Sequence, residues 1–159
     1  SDLAACLIQL IDSQSIPYLC VCRGRYVDAA TGSFSRYALF QSSGLLDSSS
    51  YFRAISKGFI PPHQATVFCP SLDRHLLRYA SDFKLAADLN FFLRLLDKPD
   101  LQVCCLDLEL VHMYAGGASS RQAKRRLYEV YKAYRTAFGW KWFLPVLLRY
   151  FRRFISILF

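Results

Sequence analysis

An alternation along the chain limits its fold more than any other feature. Apolar runs of strand length are separated by stretches of helix length. Residues 18–22, 65–69, 101–106 and 109–114 read as strands. A helix is expected over residues 3–11, and a second, with Pro70 at its first position, runs to about Tyr79. A third is expected over 88–96. This is the pattern of an α/β protein. Asp28 to Gly32 is a turn, and 34–40 reads as the strand returning from it. Residues 41–60 are rich in Ser and Gly and read as a loop with a short helix. Asp107 is expected to stop one strand, and Gly116 and Gly117 the next. No strand precedes the first helix, so a parallel sheet starting here lacks its first half. The expectation is the C-terminal part of a larger domain.

With 159 residues, 53% of them hydrophobic, the chain can bury a real core. Its net charge of +8 is concentrated at one end. Residues 121–159 carry ten Lys or Arg and one Glu, whereas 1–120 carry ten Lys or Arg and eleven Asp or Glu. A basic tail calls for an anionic partner such as a membrane, nucleic acid or polyphosphate. The tail also has two helical stripes. Ala123, Leu127, Val130, Tyr131, Tyr134 and Phe138 form one. Phe143, Leu147, Phe151, Phe154 and Leu158 form the other after a break at Gly139, with Pro145 in its first turn. The longest charge-free apolar run there, 142–148, is far too short to span a bilayer. Five of the six cysteines lie in apolar runs, which suits buried free thiols in a reducing compartment. Cys20 and Cys22 lack the spacing of a zinc pair.

Few residues stand out as chemical. Asp88 opens a helix whose apolar face carries Phe91, Phe92 and Leu95, and a carboxylate on a buried side is costly unless paired, hydrated or used. It reads either as an N-cap or as a general base. His63 and Gln64 follow the stiff pair Pro61 and Pro62. They read as turn residues before a strand or as the lip of a pocket. The loop of Gly116, Gly117, Ala118, Ser119 and Ser120 opens the next helix. It reads as a capped turn or as a helix N-terminus receiving an anionic group. Asp107 and Glu109 would face one way in a strand, at a surface end or around a cation. His75 and His112 read as structural. No phosphate-binding Gly-rich loop, nucleophile elbow or metalloprotease helix is present.

Taken together, three of these segments resemble family 2 glycosyltransferases of the GT-A type, especially bacterial polysaccharide enzymes. They are Pro61-Pro62-His63-Gln64, the block Ser81-Asp82-Phe83-Lys84-Leu85-Ala86-Ala87-Asp88-Leu89, and the run from Leu110 through Gly116 and Gly117 to Ser119. Residues 26–32 fit the family's mid-domain strand and turn. The likeness covers roughly residues 15–120, and the order and spacing of the segments make it specific.

The resemblance implies an inverting transfer of sugar from a nucleotide-sugar donor to a hydroxyl of a saccharide or lipid-linked acceptor. Asp88 would be the catalytic base. His63 and Gln64 would line the sugar and acceptor pocket, and Gly116, Gly117 and Ser119 would close it. A divalent cation, Mg or Mn, would steady the leaving diphosphate. Its Asp-x-Asp motif is expected upstream of this chain. Asn90 stands where the family often has an acidic residue. The expected fold is α/β: a partial GT-A, Rossmann-like mixed sheet flanked by helices over residues 1–120, then a basic amphipathic helical tail over 121–159. The expected place is cytoplasmic, with the tail on the anionic inner face of a membrane. Rival readings are a non-catalytic membrane-associated remnant of the fold and a nucleic-acid-binding module. The tail's hydrophobic stripes argue against the second rival, so no nucleic-acid partner is expected.

Overall fold

The computed structural model describes residues 18–28, 30–40, 43–69, 77–114 and 122–158. They form a mixed α/β structure around one five-stranded sheet. Strand β1 (Leu19–Val27) runs parallel to β5 (Gln102–Tyr114) along one edge. Its other edge is shared by two antiparallel partners. β4 (Thr66–Phe68) takes the first half and β2 (Phe34–Ala38) the second. β3 (Gly44–Asp47) pairs antiparallel with the start of β5. Among the described residues four α-helices accompany the sheet: α1 (Ser48–Ser56), α2 (Ala87–Arg94), α3 (Ala123–Phe138) and α4 (Phe143–Leu158).

Local chemistry accounts for most of the boundaries. Asp28 turns the chain after β1 because its Oδ1 accepts the Ala30 and Thr31 amides at 2.9 and 2.8 Å. Gly32 then takes a φ of +67°, and β2 returns as expected. Asp47 caps α1 by accepting the Ser50 amide at 2.8 Å. Gly58 ends that region with a φ of +82°, while the Phe59 amide reaches back to Ala54.

Three expectations are corrected. The segment 41–60 contains β3 as well as the short helix. Asp107 does not stop a strand, because β5 runs unbroken through it. The pairing with β1 slips there instead, from Val21↔Cys105 to Arg23↔Glu109. Asp107 and Glu109 face guanidinium groups at this point, Arg23 lying 2.9 Å from Asp107 and Arg25 3.7 Å from Glu109. The helix expected over 3–11 lies outside the described residues, as do Cys6 and residues 70–76 of the helix expected to reach Tyr79, whose end at 77–79 is a turn and not helix.

The main core lies on one face of the sheet. Leu19, Val21 and Val103 meet Tyr51 and Ile55 of α1, Phe91 and Phe92 of α2, and Val130, Ala133 and Tyr134 of α3. The first tail stripe is thus packed into the domain, rotated so that Leu127 and Tyr131 face outward. Cys20, Cys69 and Cys104 form a smaller cluster with Val67 and Leu106. All five described cysteines are buried thiols. Hydrogen bonds to the Cys104 and Cys69 sulfurs, together with burial, push the Cys20 thiol up, so it stays protonated.

Candidate functional site

The site is built where β4 and α2 begin. Pro61 and Pro62 deliver the chain into a single 3-10 turn, His63–Ala65. The Pro62 carbonyl accepts both the Ala65 amide and the Thr66 hydroxyl at 2.9 Å, which fixes the turn. His63 therefore projects among aromatic rings, with Phe68 and Tyr79 each 5.8 Å away and Phe92 at 6.2 Å. Its Nε2 is hydrogen-bonded to the Tyr79 hydroxyl. Gln64, beside it, is exposed.

Tyr79 is held in turn from α2. Arg94 donates to the carbonyl of Arg78 at 2.8 Å, and the Phe91 ring lies 5.9 Å from the Tyr79 ring. Partial burial, and after it the negative charge of Asp88, push the Tyr79 hydroxyl above its ordinary range. His63, Tyr79 and Asp88 thus form one neighbourhood, with Tyr79 as the link between the other two.

Asp88 is the second residue of α2, and the cap position is Ala86, so the N-cap reading is corrected. Its Oδ1 accepts the next amide, that of Leu89, at 2.8 Å. Nor does it share the buried face of Phe91, Phe92 and Leu95, since it is exposed to solvent. The reason is geometric: the first turn of α2 stands at the edge of the core, and its start faces out.

The buried carboxylate is a different one. Glu129 of α3 is only 3% exposed and accepts the amides of Lys84, Leu85 and Ala86 at 2.9, 2.7 and 3.0 Å. Arg125 adds an ion pair at 3.1 Å. Burial opposes the charge of Glu129, but the amides and the guanidinium outweigh it and hold the carboxyl below its ordinary range. A second pair, Lys132 with Asp82, clasps the same segment from outside. The loop that sets the direction of Asp88 is therefore fastened to α3.

Gly116, Gly117 and Ser119 lie outside the described residues, so this geometry rests on Asp88, His63 and Gln64. Nothing in the local sequence marks Tyr79 or Glu129. Among the described residues, no group of three or more His, Cys, Asp or Glu side chains is placed to hold a metal ion. The divalent cation implied by the resemblance has no ligand set among those residues. Comparison with family models, curated proteins and solved structures finds no match to the chain.

Proposed function

We propose that this chain carries the acceptor side of an inverting glycosyltransferase of the GT-A type. It would act in polysaccharide or glycolipid synthesis, moving sugar from a nucleotide-sugar donor to a saccharide or lipid-linked acceptor. The observation that carries the reading is the grouping of Tyr79 and His63 beside Asp88, an exposed carboxylate at the start of a helix. A general base must come within hydrogen-bond reach of the proton it takes, so access matters as much as basicity. The chemistry is a single displacement. Asp88 accepts the acceptor's proton as that oxygen bonds to the anomeric carbon. The bond from that carbon to the nucleoside diphosphate breaks, and the diphosphate leaves with the electron pair. His63, Tyr79 and the exposed Gln64 form the lip against which the acceptor is positioned.

The parallel pair of β1 and β5, flanked by helices, supports the GT-A reading. A non-catalytic remnant of the fold is the second reading, and it is favoured by Asn90, which is buried where the family often has an acidic residue. An enzyme combining these residues with a donor-binding half separates the two. Asp88→Asn there is expected to keep fold and donor binding and to lower transfer by about 10²–10⁴. Wild-type turnover in that variant would rule Asp88 out. For residues 1–159 alone, calorimetry with UDP or GDP and Mn²⁺ is expected to show no tight binding, and micromolar affinity would mean that a donor site lies within this chain.

A further inference from the structure

Helix α4 turns its apolar side away from the domain. Phe143, Leu144, Leu147, Phe151, Phe154 and Ile155 are 40–62% exposed. At 3.6 residues per turn they fall on one arc of the helix. The opposite side meets the protein. Pro145 is buried, and the backbone at Arg149 lies so close to Gly58 that a Cβ there would come within 2.4 Å of the Arg149 nitrogen. Arg152 donates to the Lys57 carbonyl at 3.0 Å, and its guanidinium lies 3.9 Å above the Phe59 ring. A surface helix of a globular protein ordinarily points its apolar stripe inward. Here that stripe has no place in the domain core, and the inward contacts are made by Pro145, by Val146, which packs partly against the core, and by the arginines.

We infer that α4 docks the protein on an anionic lipid bilayer, lying in the plane of the interface with this face among the acyl chains. Residues 139–159 carry Lys141, Arg149, Arg152 and Arg153 and no acidic residue. Arg149 and Arg152 lie on the side turned to the domain, yet a second copy would still bring two segments of net positive charge together with no carboxylate on either to meet them. A layer of anionic headgroups over hydrocarbon meets the charge and the apolar face at once. Trp140, 70% exposed in the turn before α4 and with the Lys141 ammonium 5.3 Å from its ring, stands where an indole favours the interface. The helix has 16 residues, about 24 Å of length, which suits lying on a bilayer rather than crossing it. No helix among the described residues is long and apolar enough to cross.

The test is sedimentation of the full chain with vesicles of phosphatidylcholine alone and of phosphatidylcholine mixed with phosphatidylserine. Binding is expected to the mixed vesicles, weakened but not abolished by salt, since salt screens the charges and leaves the apolar contact. Phe151→Asp combined with Phe154→Asp is expected to lower partitioning about tenfold or more. Both side chains are exposed, so the circular dichroism of the variant should be unchanged. In the unaltered chain, tryptophan emission should shift to the blue on the mixed vesicles and be quenched by brominated lipid, a result that needs no variant. Equal binding to neutral vesicles would overturn the electrostatic half. Absence of vesicle binding would overturn the inference, and concentration-dependent dimers lost in the double variant would then assign the face to a second copy.

Discussion

Two carboxylates 41 positions apart show how environment sorts residues of one chemical kind. Glu129 is buried and saturated by three amides and a guanidinium, so it has no capacity left for a substrate. Asp88 is open to solvent and holds one amide. The sequence marks Asp88 through its place in the block, but it does not reveal Tyr79. That residue acts through space, on His63 16 positions earlier and on Asp88, and no local pattern announces such a contact. If the proposed function holds, Tyr79→Phe in an enzyme that combines these residues with a donor-binding half removes only the hydroxyl that orients His63. A hydrogen bond of this kind is worth about 0.5–1.5 kcal/mol. The expected outcome is a loss of transfer of no more than about tenfold, well short of the loss in Asp88→Asn, measured as kcat and KM side by side. Gly58 offers a separate test. Its φ of +82° costs a residue with a Cβ about 1–2 kcal/mol, and that Cβ would also strike the backbone of α4. Gly58→Ala should lower the urea midpoint and open 139–158 to proteolysis.

At the scale of elements, legibility follows apolar pattern. β1, β4, α2, α3 and α4 are readable because each carries its own run or stripe. β3 is not, since its four residues are short, largely exposed and set among serines. β5 reads as two strands because Asp107 and Glu109 interrupt its apolar run, and the arginines of β1 that pair with them are distant in sequence. The role of Glu129 is invisible for a related reason. Its partners are backbone amides 43 to 45 residues away, and an amide has no side-chain signature. Its consequence is measurable in acid. The folded state holds this carboxyl below the ordinary value of 4.5, so the unfolded chain binds the proton more readily. The stabilisation is complete above about pH 4.5 and is lost as pH falls through the folded-state value. Glu129→Gln should cost about 1.5–3 kcal/mol at pH 7, the scale of hydrogen bonds to a charged group. Its urea midpoint should then vary less between pH 7 and pH 3.5 than that of the unaltered chain. An equal acid loss in both would show that other carboxylates carry the dependence.

At the scale of the whole molecule, the question is where the folded unit ends. Charge suggests a boundary near residue 120, since the basic tail begins there. Packing places α3 with the core, because Val130, Ala133 and Tyr134 are buried among residues of the sheet and of α1 and α2. Burying a Val-sized or aromatic side chain contributes about 1.5–3 kcal/mol, and domains are stable by only about 5–15 kcal/mol. Removing α3 would take those contacts and release the amides that Glu129 holds, a loss comparable to the whole stability. Helix α4 and the turn before it contribute less to the core. Trp142 of the turn and Val146 of the helix pack partly against it, while the apolar face of the helix points outward. A chain ending at residue 138 is therefore expected to unfold cooperatively in urea with a lowered midpoint, and one ending at 121 to show no cooperative transition. Far-UV circular dichroism across the urea series distinguishes them. A cooperative transition in the shorter chain would mean that residues up to 121 fold alone and that the charge boundary is also the structural one. Loss of cooperativity already in the longer chain would make α4 part of the folded core.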